Sequence, residues 1–259
     1  MKKVEEKVAV VTGGATGLGQ FIAAGLAKRG CRVVIADIDQ KGSAAADMLI
    51  ATGGKAAYQH VDLASTTGPE AMIAETIATY GRIDILVNNA GYGQGEGFME
   101  MSAEIWDRSY AVNLRAVALA TRAAGIAMKA AGSGRIVNIT SPASRMALPN
   151  YTAYSATKAA LDSLTRASAV ALAPFGVLVN SLAPGMMDTA MQEKTERQFA
   201  RLEGRDDFEA FVAERTRRIP LGRRTDCEEM AAGAIWLALD APDYIVAERL
   251  NLSGGLDRD

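Results

Sequence analysis

Short apolar segments alternate with longer segments of helical periodicity along most of the chain. The first apolar segment, residues 7–12, shows no polar alternation, which is typical of a central parallel strand covered on both faces. Strands that alternate with helices predict an α/β fold, a doubly wound parallel sheet of the Rossmann type with helices on both faces. Further strands are predicted at residues 32–37, 55–61, 83–87, 135–141, 177–181 and 249–252.

A glycine-rich turn follows the first strand at once. It reads Thr12-Gly13-Gly14-Ala15-Thr16-Gly17-Leu18-Gly19, and a helix is predicted after it to about residue 29. Glycines let backbone amides approach a pyrophosphate, and the N-terminus of the helix is aimed at the same place. A plain strand-to-helix turn is the simpler interpretation of the glycines alone. The strand before the turn and the helix after it favour a dinucleotide site.

The second and third predicted strands both end in a carboxylate. Asp37 can bind a ribose 2′-hydroxyl and would repel a 2′-phosphate, and Thr16 and Ile38 beside it are uncharged. This pattern favours NAD over NADP, although Asp37 could instead cap the following helix together with Asp39. Asp62 could accept a hydrogen bond from an adenine amino group, or could equally cap a helix.

Tyr154 and Lys158 are four positions apart in an Ala-rich segment with Asn150 at its start. If the segment is helical, the two side chains share one face. Lowering the pKa of a phenol from about 10 to about 7 requires roughly 4 kcal/mol, which one ammonium about 4 Å away supplies at an effective dielectric of about 20. The spacing can therefore make a tyrosine base, although alone it is also an ordinary amphipathic face.

Composition narrows the class of protein. The 259 residues are 49% hydrophobic, and we interpret them as one domain spanning 1–259. With a net charge of -2, the chain has no excess of positive charge that would attract nucleic acid or an anionic membrane. The expected partners are therefore small molecules or further copies of the chain. The N-terminal residues lack the apolar core of a signal peptide, which predicts a cytoplasmic protein. Cys31 and Cys227 lack the spacing of a metal site or disulfide framework, and no metal is expected.

Several motifs occur in an order that is specific to one family. They are Thr12, Gly13, Gly17 and Gly19 in the glycine turn, Asn88-Asn89-Ala90-Gly91 after the fourth strand, Asn113, Ser141, the Tyr154–Lys158 pair, Pro184-Gly185 and Thr189. Over essentially its whole length the chain resembles the short, single-domain form of the short-chain dehydrogenase/reductase family.

That resemblance implies roles for individual residues. The catalytic tetrad would be Asn113, Ser141, Tyr154 and Lys158. NAD would be bound by Gly13, Thr16, Gly17, Leu18, Gly19, Asp37, Asp62, Leu63, Asn89, Ala90, Gly91, Tyr154, Lys158, Pro184, Gly185 and Thr189. Substrate would be contacted by Ser141, Ala143, Tyr151, Tyr154, Gly185 and Met186.

Residues 186–218 form a long insertion with interleaved charges and aromatic side chains. Their spacing predicts two short amphipathic helices separated near Gly204. In the family that the chain resembles, this region is a mobile substrate lid. Three departures from the family pattern leave the catalytic groups intact: Thr140-Ser141-Pro142 in place of a Ser-Ser pair followed by a flexible residue, Leu178 in place of Arg, and Ala247 in place of Gly.

The resemblance implies an oxidoreductase that transfers a hydride between NAD and a secondary alcohol or ketone. The tail, residues 243–247 and 253–255, is loosely similar to bacterial sorbitol and polyol dehydrogenases, which favours a polyol or sugar-type substrate. One alternative is NADPH-dependent reduction of a 3-oxoacyl thioester, against which Asp37 argues. Another is a catalytically silent NAD-binding sensor or scaffold, against which the tetrad argues.

Helices predicted at residues 102–130 and 150–173 are rich in alanine. Small side chains suit close packing on more than one face, although alanine is also simply the best helix former. Together with the family resemblance, this pattern predicts a homo-oligomer, a tetramer, with these helices in one interface.

Overall fold

The structure is a computed structural model that describes residue 4 and residues 6–257. Parallel strands form its central sheet. All strands in this sheet are parallel, in the order β3-β2-β1-β4-β5-β6-β7, which confirms the predicted doubly wound fold. The strands are β1 (Val8–Thr12), β2 (Arg32–Asp37), β3 (Lys55–His60), β4 (Ile85–Asn88), β5 (Gly134–Ile139), β6 (Val177–Pro184) and β7 (Arg249–Leu252).

Helices connect the strands and cover both faces of the sheet. They are α1 (Gly17–Lys28), α2 (Lys41–Ala51), α3 (Gly68–Tyr80), α4 (Ala103–Tyr110), α5 (Ala116–Ala131), α6 (Thr152–Leu172), α7 (Ala190–Leu202), α8 (Phe208–Arg217) and α9 (Cys227–Leu239). Helices α7 and α8 flank Gly204, whose φ is 62°, so the two predicted helices of the insertion are confirmed.

The apolar run of β1 is explained by cover on both sides. Ala9 and Val11 belong to the core layer beneath α1 and α9, whereas Val10 belongs to the layer beneath α3 and α5. All three are fully buried. Burial of each large aliphatic side chain contributes about 1.5–3 kcal/mol, and no position on this strand faces water. The absence of polar alternation therefore follows from the position of β1 in the middle of the sheet.

Two of the differences from the predicted elements concern the site. Helix α6 begins at Thr152 with Tyr151 at its N-cap, so Asn150 does not cap it. The helix predicted over residues 102–130 is interrupted by a π-helical turn, Ala111–Arg115, between α4 and α5. Such turns often occur at functional sites, and this one contains the predicted catalytic residue Asn113.

Ala247 holds a left-handed backbone conformation, with φ of 64°. Its amide donates to the carbonyl of Val179 at 3.0 Å, which fixes the loop before β7 against β6. For an L-residue with a Cβ this conformation costs roughly 1–2 kcal/mol, whereas glycine adopts it freely. The departure from the family's glycine therefore lies where the backbone favours glycine.

We expect Ala247→Gly to raise the free energy of unfolding by about 0.5–1 kcal/mol, since relief of strain exceeds the added entropy of glycine in the unfolded chain. Urea or thermal unfolding measures the change. Ala44, exposed on α2, is the matched control, and Ala44→Gly should lower stability by about 1 kcal/mol. A variant no more stable than wild type would contradict the strain at Ala247.

Both cysteines are free thiols buried in the core. Burial raises the pKa of Cys31 to about 11, which leaves it protonated at neutral pH.

In the part of the chain that the structure describes, no helix is long and apolar enough to cross a membrane.

Candidate active site

A cavity of about 640 Å³ opens at the carboxyl ends of the strands, next to the point between β1 and β4 where the strand order reverses. Doubly wound sheets bind ligands in this crevice. Most of the predicted site residues lie together along its walls. They are Gly13, Thr16, Gly17, Leu18, Asp37, Asp62, Leu63, Asn89, Ala90, Gly91, Ser141, Tyr151, Tyr154, Lys158, Pro184, Gly185 and Thr189.

Four predicted residues do not line this cavity. Gly19 packs against the turn itself, because a Cβ there would lie 2.1 Å from the carbonyl oxygen of Gly13. Asn113 lies behind the wall. Ala143 is buried and its amide donates to the hydroxyl of Ser141, while Met186 faces a smaller cavity beside β7. Ala143 and Met186 are therefore not among the residues that line this cavity, and their expected contact with substrate stays a prediction.

The glycine turn is held against the loop after β4. The hydroxyl of Thr12 accepts from the amides of Asn89 and Ala90 at 3.0 and 3.1 Å, and Asn89 Nδ2 donates to the carbonyls of Thr12 and Gly13. Gly13 has φ of 63°, and a Cβ there would lie 2.8 Å from the Cα of Ala90. This close approach is possible only without a side chain.

The same turn leaves room for a ligand at the start of α1. Gly17 has φ of 56°, and a Cβ there would meet nothing within 4 Å, so the backbone borders open space in the cavity. The first turn of α1 carries no acidic side chain, and the amides of this turn suit an anion. These features fit the pyrophosphate of a nicotinamide dinucleotide.

Asp37 lies at the end of β2 with its carboxylate turned toward the glycine turn. It accepts from the amide of Ala15 at 3.0 Å and from the amide of Asp39 at 3.0 Å. Helix α2 begins only at Lys41, so Asp37 does not cap it. Asp62 accepts from the amide of Ala64 at 2.8 Å, which forms a local turn and leaves both interpretations of Asp62 open.

Asn113 is fully buried in the π-helical turn and anchors the loop after Gly91. Its Oδ1 accepts from the amide of Tyr92 at 2.7 Å, and its Nδ2 donates to the carbonyl of Tyr92 at 2.8 Å and to Thr157 Oγ1 at 3.1 Å. Thr157 in turn donates to the carbonyl of Tyr154 at 2.8 Å. Asn113 therefore connects the wall of the cavity to α6. Its expected role in a water chain stays a prediction.

Tyr154 and Lys158 lie one turn apart on α6, and Ser141 approaches them from the end of β5. Lys158 Nζ is 5.5 Å from the centroid of the Tyr154 ring and donates to the carbonyl of Ile139 at 2.7 Å. The hydroxyl of Ser141 lies near enough to the Tyr154 phenol to influence its pKa. The ring of Tyr151 stacks on that of Tyr154, with centroids 4.3 Å apart.

Burial dominates the electrostatics of this group. It raises the pKa of the Tyr154 phenol above its ordinary value, opposed by the hydroxyl of Ser141. It lowers the pKa of Lys158 to about 8, opposed by the charge of Asp162. The expectation that Lys158 brings the Tyr154 pKa down to about 7 is therefore not met in this structure. Burial is the largest cause of the raised pKa, and the ammonium donates to the Ile139 carbonyl.

The cleft-facing side of α7 supplies residues that the sequence analysis did not single out. Gln192 and Thr195 are three positions apart and both line the cavity. Phe199 lies four positions further along the helix, and its ring contacts the Tyr151 ring edge-on with the ring centroids 5.2 Å apart. Positions spaced by three and four residues share a helix face, so this periodicity could have identified them.

Helix α7 is fixed in place by a buried carboxylate. Glu196 is 1% exposed and accepts from Arg215 Nε of α8 at 3.0 Å and from Arg224 Nη2 at 2.7 Å. Arg224 also pairs with Asp188, at the edge of the cavity, at 3.2 Å. These charges hold the two helices over the cleft as one unit.

Fold, glycine turn and the Ser141–Tyr154–Lys158 group together define a dinucleotide-dependent oxidoreductase of the doubly wound class. The sequence model of the short chain dehydrogenases matches residues 7–199. The chain therefore belongs to the short-chain dehydrogenase/reductase family, whose fold binds a nicotinamide cofactor.

Relatives span the whole length of the chain. Cis-4-hydroxycyclohexanecarboxylate dehydrogenase of Sinomonas cyclohexanicum is 36% identical over 251 residues, which cover 96% of each protein. The crystal structure of a gluconate 5-dehydrogenase from Burkholderia cenocepacia J2315, in complex with NADP and tartrate, is 33% identical, with a TM-score of 0.87 and coverage of 97% and 95%. NAD⁺-bound xylitol dehydrogenase is 26% identical, with a TM-score of 0.94 and coverage of 98% and 100%.

Proposed function

We propose that this protein is an NAD-dependent dehydrogenase that interconverts a secondary alcohol and its ketone, with a polyol or sugar-type substrate. The observation that carries the coenzyme assignment is the carboxylate of Asp37 in the wall of the cavity. It lies beside the uncharged side chains of Thr16 and Ile38. A 2′-phosphate of NADP would be repelled by this carboxylate, and neither Thr16 nor Ile38 offers a positive charge to bind it. The 2′-hydroxyl of NAD could instead donate a hydrogen bond to the carboxylate.

The substrate class is supported by the side chains around Tyr154. Ser141, Tyr151, Gln192 and Thr195 offer hydroxyl and amide groups, and Met187 and Met191 add apolar surface. Helix α7 covers this end and acts as the substrate lid.

The chain's own residues supply binding, orientation and proton transfer. The glycine turn and the start of α1 would hold the pyrophosphate of the coenzyme, and Lys158 would hold its ribose near the nicotinamide. When bound, the nicotinamide supplies the hydride acceptor for oxidation and the donor for reduction. Tyr154 exchanges a proton with the substrate oxygen, and Ser141 donates a hydrogen bond to the same oxygen. The charge of Lys158 stabilises the phenolate that forms during reduction.

An absorbance screen for the reduced nicotinamide tests this proposal. The purified protein is assayed with NAD and with NADP over polyols, sugars, diols, hydroxy acids and secondary alcohols. We expect the highest kcat/KM with NAD and a neutral polyol or sugar. Preference for NADP, or reduction of a 3-oxoacyl thioester with NADPH as the best reaction, would contradict it.

We also propose a homotetramer in which α4, α5 and α6 form one interface. Apolar side chains are exposed on these helices, including Ile126 at 63% and Val170 at 71%. A two-fold axis would cover them with a second copy. Light scattering at micromolar concentration should give about 109 kDa, four times the 27.3 kDa of one chain. A mass of one chain at all concentrations would contradict the assembly.

A further inference from the structure

A buried ionic cluster lies directly behind the catalytic residues. Arg249 lies at the start of β7. Its Nη2 atom is 2.6 Å from Oδ2 of Asp257, and its Nε atom is 3.6 Å from Oδ1 of Asp162. The side chains of Arg249, Asp162 and Asp257 are only 8%, 9% and 3% exposed. Three charges thus meet in a region with little access to water.

This cluster touches the catalytic residues from two sides. Arg249 Nη2 donates to the main-chain carbonyl of Ser141 at 3.0 Å. Asp162 lies one turn after Lys158 on α6, and Ser144 Oγ donates to its Oδ2 at 2.6 Å. The carboxylate of Asp162 therefore stands on the same helix face as the buried ammonium of Lys158.

This ionic cluster is not expected to add much to the stability of the fold. Arg249 Nε and Nη1, Asp162 Oδ1 and Asp257 Oδ2 are buried without a hydrogen bond of good geometry. A buried ion pair is often no more stabilising than apolar residues of similar volume, because desolvation offsets the attraction. A role in tethering residues after β7 is the simpler interpretation, and it predicts no effect on the proton chemistry of the site.

Lys158 needs a compensating charge in its surroundings. It is 3% exposed and its Nζ donates to a neutral carbonyl, that of Ile139. Among the described residues, the charge that acts on it is that of Asp162, which shares its helix with the titratable Tyr154; Arg249 and Asp257 lie beyond Asp162. Burial lowers the pKa of Lys158 to about 8, and the negative charge of Asp162 works against this decrease.

We propose that Asp162 is a positioning residue that keeps Lys158 charged at neutral pH, and that Arg249 holds both Asp162 and the main chain of Ser141 in place. Within the proposed reaction, on which this inference rests, ketone reduction needs a protonated Tyr154 and a charged Lys158. The rate of reduction therefore falls when Lys158 loses its proton, and Asp162 sets the pH of that decrease.

The first test is the pH profile of kcat for ketone reduction with NADH. In Asp162→Asn the midpoint of the alkaline decrease should move to lower pH by at least about one unit, because the stabilising carboxylate is lost. In Arg249→Gln the midpoint should move to higher pH. Without the Arg249 guanidinium, the negative charge of Asp162 is no longer partly neutralised and stabilises the Lys158 ammonium more strongly. Shifts of opposite sign are not expected from a purely structural role.

Asp84 provides the matched control, because it is a buried carboxylate that pairs with Arg82 away from the cavity. Asp84→Asn should lower stability and leave the midpoint unchanged. An Asp162→Asn midpoint that is unmoved, or that moves to higher pH, would overturn the inference, as would a shift of Arg249→Gln to lower pH.

A second readout does not depend on activity. The titration of Lys158 is followed by NMR of side-chain-labelled lysine in the free protein, with Lys158→Met to assign the signal. Asp162→Asn should lower the observed pKa of Lys158, and an unchanged pKa would contradict the inference. If wild type oxidised or reduced no substrate of the screen, only the proposed function would fail, and this titration would still decide the role of Asp162.

Discussion

Tyr154→Phe is expected to lower turnover by at least about a hundredfold while NAD binding stays close to wild type. The substitution removes only the phenol oxygen and keeps the ring that stacks on Tyr151 at 4.3 Å. A hundredfold decrease corresponds to about 2.7 kcal/mol of lost transition-state stabilisation, the usual scale for a general acid or base. Steady-state kinetics with the best alcohol gives the turnover, and a fluorescence titration with NADH gives the binding.

Tyr80→Phe is the control for this experiment. Tyr80 ends α3 outside the cavity, where its ring contacts Arg32, so loss of its hydroxyl should leave kcat unchanged. If Tyr154→Phe kept most of its turnover, Tyr154 would not be the residue that exchanges the proton.

Replacement of Asp37 by Ala together with Ile38→Arg should shift the coenzyme preference toward NADP by at least about a hundredfold in the ratio of kcat/KM values. The double substitution removes a charge that repels the 2′-phosphate and adds a guanidinium that binds it, and each change contributes on the order of 1–2 kcal/mol. Kinetics with both coenzymes at one fixed substrate concentration measures the ratio.

Asp39→Ala is the matched control, because Asp39 is a neighbouring carboxylate that does not line the cavity. It should leave the ratio unchanged. Asp37 also accepts from the amide of Ala15, so thermal unfolding of the double variant must accompany the kinetics. A wild-type protein that already used NADP better than NAD would show that Asp37 had been misinterpreted.

The fold was predictable because its signals are local and repeated. Residues 8–11 and 33–36 are continuous apolar runs, and the strands predicted around them at 7–12 and 32–37 match the observed strands to within one residue. The glycine turn follows a strand and precedes a helix, so its position at the edge of the sheet required no tertiary information.

The parts of the site that were missed depend on tertiary packing. Nothing in the sequence around Asn113 marks a π-helical turn. The lowered pKa of Lys158, to about 8, follows from burial that only the folded chain creates. The contact of Arg249 with Ser141 joins residues 108 positions apart, which no spacing rule could anticipate.

In the proposed reaction, this chain transfers a hydride from the carbinol carbon of a secondary alcohol to NAD, with Tyr154 accepting the proton. The most direct measurement uses the best polyol from the screen with deuterium on that carbon, followed by mass spectrometry of the coenzyme. We predict that wild type gives NADH carrying one deuterium and that Tyr154→Phe gives at most about a hundredth of the wild-type rate. Reduced coenzyme without the label, or label that appears only in NADPH, would contradict hydride transfer from the alcohol to NAD.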